Sequence, residues 1–206
     1  MGAPKPKQYL EIAGKTILEH TITRLLALGP RRLVVAVSAA DEYYETIPLI
    51  DQCEIVIGGV ERADSVLSGL NQLDLQPNEW VMVHDAVRPC VRAADIILLC
   101  NNLVDDDVGG LLGIPVTDTV KKTSGNRVVE TPDRSELWLA QTPQLFRYGI
   151  LLRALQNVTA VTDEASAVEQ LGYRPMMVPG HGDNIKVTTT QDLMLAEHYL
   201  SIEEAR

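Results

Sequence analysis

Apolar positions along this chain switch repeatedly between helical and extended spacing. Leu18, Ile22, Leu25 and Leu26 recur at i, i+4, i+7 and i+8, behind a Thr16/Glu19 capping pair and ahead of Gly29. That spacing predicts an amphipathic helix with both ends marked. The next apolar positions are contiguous, Leu33-Val34-Val35-Ala36-Val37, between Arg32 and Ser38. A run without alternation predicts a strand covered on both faces, as in a parallel sheet. A short strand over Glu54–Ile57 runs into Gly58-Gly59, and Ala63, Val66, Leu67 and Leu70 share one face of the helix that follows. A strand over Trp80–His84 and a helix near Ala93–Leu103 continue the alternation. This βαβα rhythm predicts an α/β fold with a doubly wound, mainly parallel sheet. Ligands of such sheets sit beyond the carboxyl ends of the strands, where Gly59 and Asp85 both fall.

From Gly109 to Leu139 the texture changes. Gly110–Val116 predicts a strand; Thr119–Thr123, a Ser124-Gly125-Asn126 turn and Arg127–Thr131 predict a hairpin whose alternation is mostly polar. A two-stranded ribbon is marginal alone in water. It either lies on its own sheet or projects as an arm against a partner subunit, and the second is the expectation. Beyond it, Thr162-Asp163-Glu164 reads as an N-cap with an acidic first turn, with Ala165, Val168 and Leu171 inward and Gly172 as the stop. Met176–Val178 and Ile185–Val187 predict short strands, and Thr189 with Asp192 caps a last helix carrying Leu193, Ala196 and Leu200.

The 206 residues fit one domain, and 46% apolar with 22% charged residues is ordinary globular composition. A net charge of −10 argues against nucleic acid as a partner. A small anionic ligand needs only a few local cations, so these are sought one by one. The three cysteines (Cys53, Cys90, Cys100) form no Cys-x-x-Cys pair, and the four histidines show no zinc spacing. No apolar run approaches a membrane span, and the start MGAPKPKQYL carries no signal core. A cytoplasmic protein is expected.

The candidate chemistry lies in two stretches, Gly58-Gly59-Val60-Glu61-Arg62-Ala63-Asp64-Ser65 and Val83-His84-Asp85-Ala86-Val87-Arg88-Pro89. A glycine pair opening a helix offers unpaired N–H groups and a positive dipole end to an anion. A strand ending on Asp, with Arg shortly after, sets a ligand for a metal or sugar hydroxyl beside a phosphate clamp. Each residue alone also has a structural reading: Asp85 as a turn aspartate paired with Arg88, Lys7 as a solvated leader residue, His84 as a hydrogen-bonded strand end.

In order and content, PKQYL, TILEH, GGVERADSV, VHDAVRP, PVTDTVK, DRSELWLAQTPQLF, TDEASAVE and DNIKVT resemble the 2-C-methyl-D-erythritol 4-phosphate cytidylyltransferases of the non-mevalonate isoprenoid pathway, from about Lys5 to Leu200. The resemblance implies a Rossmann-like nucleotidyltransferase sheet with a dimerisation arm at about residues 113–136. It also implies attack of the acceptor phosphate on the α-phosphorus of CTP, with Mg²⁺ as the divalent cation and a homodimer formed through the arm. A phosphate monoester has a second pKa near ~6, so the nucleophile is already mostly a dianion. Repulsion is the larger obstacle, since two unit charges about 4 Å apart cost roughly 4 kcal/mol at an effective dielectric near 20. Catalysis of this kind rests on positioning and cations rather than on a histidine base.

Residue by residue, the resemblance gives Lys7 the transition-state contact on the triphosphate, and Gly59, Arg62 and Ser65 the loop and helix start around the cytidine. Asp85 and Ala86 fall near the ribose and acceptor, Asp85 also at the Mg²⁺ shell. Arg88 and Thr162 are acceptor-side positions, and Lys186 positions the acceptor phosphate. Thr119 and Arg134 match acceptor contacts that the other subunit provides.

Two departures stand out. The family carries a first strand and a loop of the form P-A-A-G-x-G-x-R-M before PKQY, whereas this sequence begins at Met1-Gly2, where that loop ends; a truncated sequence is the expectation. Val60 stands where family members often have Asp. The alternatives are a pentitol (ribitol) phosphate cytidylyltransferase, or, for a naturally short chain, a catalytically impaired nucleotide-binding dimer.

Overall fold

The computed structural model describes residues 5–157 and 161–204; Met1-Gly2, where the family's loop would end, lies outside them. Tyr9 is buried against Leu18 and Ile22 and closes a 3₁₀ turn over Lys7–Tyr9. Two short strands, β1 (Glu11–Ile12) and β2 (Lys15–Thr16), form a tight hairpin that delivers the chain into α1 (Ile17–Leu26). The Thr16 hydroxyl accepts the Glu19 N–H at 3.1 Å, the expected cap. Then follow β3 (Val34–Val37), β4 (Glu54–Ile57), α2 (Arg62–Gln72), β5 (Trp80–Val83), α3 (Ala93–Leu103) and β6 (Gly109–Pro115). The exposed hairpin β7 (Lys122–Ser124) and β8 (Arg127–Glu130) precedes β9 (Trp138–Arg147), α4 (Tyr148–Asn157), α5 (Glu164–Gln170), β10 (Met176–Pro179) and α6 (Thr190–Glu204).

Two strand pairs are parallel, β3 with β4 and β6 with β10. Between β6 and β5 runs β9, antiparallel to both, which makes the main sheet mixed in the order β10-β6-β9-β5. The hydrophobic pattern does not announce β9, because Gln141, Thr142, Pro143 and Gln144 interrupt it. Those polar side chains are nevertheless buried, and each has a partner across the fold.

The apolar run on β3 is covered on both faces only at its start. Val35 packs with the α1 cluster and Val34 lies against Gly69 of α2, while Ala36, and Ile57 on β4, are exposed at the carboxyl end. The strand expected at Ile185–Val187 does not form. That segment makes a single rung, Val187 N–H to the Val87 carbonyl at 2.9 Å. Arg88 Nη1 takes the Asn184 carbonyl at 2.6 Å, so a side chain occupies what a neighbouring strand would use. Ile185 and Val187 instead pack among Ile12, Ile17 and Val87.

The hairpin appears where expected, but its strands are shorter than the polar alternation suggested. All seven of its strand residues are exposed, Val128 and Val129 each to 58%. No helix among the described residues is long and apolar enough to cross a membrane.

Candidate active site

The glycine pair directly follows β4. Gly58 N–H bonds to the Val37 carbonyl at 2.8 Å, which ties the loop to the end of β3. Gly59 needs to be glycine, because a Cβ there would lie 2.2 Å from Cβ of Asp64. Asp64 in turn accepts the Glu61 N–H at 3.1 Å and starts α2. Ser65 Oγ accepts the Gly59 N–H at 3.2 Å, so its hydroxyl braces the loop from inside.

Asp85 directly follows His84 at the end of β5. Its N–H donates to Thr142 Oγ1 of β9 at 3.0 Å. The Thr142 hydroxyl donates to His84 Nδ1 at 3.0 Å, and His84 Nε2 lies 3.2 Å from the Arg88 carbonyl. A carbonyl can only accept, so Nε2 carries the proton and Nδ1 is the acceptor. Burial pushes His84 down to about 4. It is therefore neutral near pH 7 with both ring nitrogens engaged: a brace for the Asp85–Arg88 turn, not a base.

Around the Asp85 carboxylate three cations converge. Arg62 Nε donates to Oδ1 at 2.9 Å, Lys186 Nζ lies 3.0 Å from Oδ2, and Arg88 Nε lies 3.5 Å from Oδ2. Burial alone would push the Asp85 carboxyl up; the Arg62 and Lys186 charges outweigh it and hold it at about 2. For Arg88 burial wins, and its pKa is lowered despite Asp85. Burial also opposes the charge on Arg62, but Glu164 and then Asp85 hold it above the usual arginine range. Glu164 is the residue that sequence reasoning left as helix decoration. Its carboxylate accepts Arg62 Nη1 at 2.6 Å and Nη2 at 2.9 Å, and it is 0% exposed. A signal was present: Glu164 falls on the same i, i+4, i+7 stripe as Val168 and Leu171, and a charge on an inward stripe requires a partner.

Of the sequence-predicted residues, the fold brings Arg62, Asp85, Arg88 and Lys186 into contact. Ala86, exposed beside Asp85, accepts the Thr21 hydroxyl on its carbonyl at 3.0 Å. Gly59 and Ser65 form the neighbouring loop. Lys7 is exposed and makes none of these ion pairs, but nearby Leu10 packs on the cluster that contains Val87 and Val187. Thr162 is exposed at the start of α5, its hydroxyl 3.3 Å from Ser166 Oγ. Thr119 and Arg134 lie at the root of the hairpin, where Arg134 Nη1 bonds to the Thr117 carbonyl. They share no contact with Asp85.

The arrangement is a carboxylate at a strand end, ringed by cations and flanked by a glycine loop, which suits two anionic substrates. A family model described as 2-C-methyl-D-erythritol 4-phosphate cytidylyltransferase (IspD) matches residues 1–202. The chain is 50% identical over 209 residues to the 2-C-methyl-D-erythritol 4-phosphate cytidylyltransferase of Mannheimia succiniciproducens, covering 98% of this chain and 90% of the relative. It is similar to a crystal structure of 4-diphosphocytidyl-2C-methyl-D-erythritol synthase, with TM-score 0.87, 38% identity and 94% of each chain covered. The Francisella tularensis 2-C-methyl-D-erythritol 4-phosphate cytidylyltransferase structure matches at TM-score 0.82 and 38% identity, covering 95% of this chain and 93% of that one.

Proposed function

Because the chain belongs to the 2-C-methyl-D-erythritol 4-phosphate cytidylyltransferase family, we propose a division of labour among its residues for that family's reaction. The enzyme joins CTP to 2-C-methyl-D-erythritol 4-phosphate and releases pyrophosphate. An acceptor phosphate oxygen bonds to the α-phosphorus as the bond to the pyrophosphate breaks. The relative in Mannheimia succiniciproducens carries the methylerythritol phosphate name, which favours that acceptor over a pentitol phosphate.

No proton has to be removed from a dianionic phosphate, which agrees with His84 being neutral and fully engaged. Lys186, with its side chain 40% exposed, is free to turn from Asp85 to an arriving acceptor phosphate. Lys7 lies on the exposed turn ahead of β1, where it can meet the triphosphate. Gly59 and Ser65 shape the base-side loop. Asp85, ionised throughout the physiological range, and Ala86 receive the sugar hydroxyls. Arg88 and Thr162 face the acceptor. Positioning and charge neutralisation carry the rate. The observation that carries this reading is the convergence of Arg62, Lys186 and Arg88 on Asp85 at the sheet's carboxyl edge.

The divalent cation implied by the family does not fit as an ion held by this chain alone. Both Asp85 oxygens already face cations, and no three His, Cys, Asp or Glu side chains gather elsewhere among the described residues. Mg²⁺ is commonly bound through one or two carboxylates plus substrate phosphates. We therefore count Mg²⁺ with the nucleotide, entering as its complex, and derive no step through it.

The exposed hairpin, within an arm spanning about residues 113–136 of a single domain, suits a homodimer in which Thr119 and Arg134 reach the partner's acceptor. Cys53, Cys90 and Cys100 are not joined to one another by a disulfide, which suits the cytoplasm.

Incubating the protein with CTP, Mg²⁺ and either methylerythritol phosphate or ribitol phosphate tests the reading. The expected result is pyrophosphate release and a CDP-linked product with methylerythritol phosphate. Transfer only to ribitol phosphate would overturn the acceptor assignment, and no transfer to either would overturn the activity.

A further inference from the structure

Glu164 is buried and paired with Arg62, and the division of labour above leaves it unused. We propose that Glu164 is a positioning residue for the reaction: it locks the Arg62 guanidinium so that Arg62 orients Asp85 instead of binding the substrates' phosphates. This rests on the reading of Asp85 as ligand-facing.

The geometry is a chain of two links. Nη1 and Nη2 of Arg62 meet the two Glu164 oxygens at 2.6 and 2.9 Å, and Nε meets Asp85 Oδ1 at 2.9 Å. All three guanidinium nitrogens thus have a carboxylate acceptor. A bidentate fork fixes the plane of a guanidinium, and with it the direction of the third nitrogen. The fork itself is built on a pinned turn. Gln144 Oε1 accepts the Ala165 N–H at 2.8 Å, and Gln144 Nε2 donates to Asp163 Oδ2 at 2.9 Å. Gln144 lies opposite Val83 in the β9–β5 ladder, just upstream of Asp85. One rung of the sheet therefore holds both ends of the brace.

Charge gives a second consequence. Three cations (Arg62, Arg88, Lys186) and two carboxylates (Asp85, Glu164) share this cluster. Removing the Glu164 charge would leave a stronger positive field and an arginine with one of its two fork acceptors gone, which would grip triphosphate or pyrophosphate more tightly while aiming Asp85 less well.

Steady-state kinetics of Glu164→Gln, Arg62→Lys and the double variant test this. In Glu164→Gln, kcat should fall about 10- to 100-fold while KM for CTP stays level or drops. The double variant should be no worse than the poorer single one, and Glu164→Asp, which keeps the charge, should recover part of the lost kcat. Wild-type kcat in Glu164→Gln, a rise in KM for CTP, or multiplicative losses in the double variant would overturn the proposal. An activity-independent readout is the ¹⁵N-edited signal of the Arg62 Nε–H, identified by its loss in Arg62→Lys. It should exchange slowly with water in the wild type and fast in Glu164→Gln; equal exchange in both would overturn the brace. If the wild type turned over no CTP, the functional reading would fail, and the exchange result would still judge the brace. Should Glu164→Gln fail to fold, Glu164→Asp serves in the same two measurements.

Discussion

Lys186 Nζ and Asp85 Oδ2 lie 3.0 Å apart, and both are held there through Thr142 of β9. The Thr142 hydroxyl takes the Asp85 N–H at 3.0 Å. Its carbonyl takes Asn184 Nδ2 at 2.8 Å, two residues before Lys186. An unannounced strand thus supplies the anchor on which both halves of the charged cluster hang. The pair is partly exposed on the lysine side, so its worth lies in placing charge rather than in stability.

That distinction makes Lys186→Ala and Lys7→Ala informative. Each should lower kcat/KM for methylerythritol phosphate or CTP by about 10²- to 10³-fold, the loss typical of a donor aimed at developing charge. Unfolding free energy should change by less than about 1 kcal/mol. Steady-state kinetics and denaturant titration check both statements; ordinary kinetics in either variant would remove that lysine from the site.

Thr142→Val keeps the shape and deletes the hydroxyl. It leaves the Asp85 N–H and His84 Nδ1 without their partner, which costs about 1–3 kcal/mol. The Asp85 turn should also loosen, so kcat should fall by about 10-fold or more, and Thr142→Ser should restore most of it. Equal activity in the Val and Ser variants would mean that the hydroxyl does not position Asp85.

Arg62→Ala strands the Glu164 carboxylate, whose side chain is only 1% exposed. Leaving a buried charge uncompensated costs about 3–5 kcal/mol. Guanidinium chloride unfolding should therefore show a far larger loss for Arg62→Ala than for Lys186→Ala, although both contact Asp85. A loss under about 1 kcal/mol would contradict the buried brace.

The pH dependence of stability follows from His84 and Asp85 in sequence. His84 is held at about 4 against an ordinary 6.5, so between those values the unfolded chain binds the extra proton. Its contribution is complete above pH 6.5 and is lost as pH falls toward 4. Asp85, held at about 2 against 3.8, adds a second loss only below 3.8. Urea unfolding at about pH 7, 6 and 5 should show stability falling with acid, His84 supplying up to about 1.4 kcal/mol per pH unit. In His84→Gln that share of the slope should vanish. An unchanged slope would place the titration elsewhere.

Sequence periodicity alone located the elements whose apolar residues face one way, such as α1 and α2, and strands with uninterrupted apolar runs, such as β5. It passed over β9 because that strand spends its inward positions on Gln141, Thr142 and Gln144, which bury polar groups to hold loops. The charged residues at Arg62, Asp85, Arg88 and Lys186 were legible as a set only through resemblance; spacing along the chain does not say that they converge. Glu164 and Thr142 escaped both routes, since each acts through another residue. Ile185–Val187 was misread as a strand because Ile185 and Val187, two residues of high β-propensity on either side of Lys186, also suit a loop pinned by side chains.

Whether the site is shared between subunits has a decisive test in mixed dimers. Asp85 belongs to the cluster at the end of β5, while Arg134 sits at the root of the exposed hairpin and bonds to the Thr117 carbonyl. If Arg134 serves the partner's acceptor, an Asp85→Asn subunit still lends a sound arm, and an Arg134→Ala subunit still owns a sound cluster. Paired, they assemble one intact site, from the second subunit's Asp85 and the first subunit's Arg134, and one site lacking both. Random exchange of two such inactive variants makes about half of the dimers mixed, so about a quarter of the wild-type activity should return. If each subunit builds its own site, every site in every dimer lacks one residue and nothing returns. Activity assays before and after unfolding and refolding of the mixture, with mixed dimers confirmed by mass, distinguish the two arrangements.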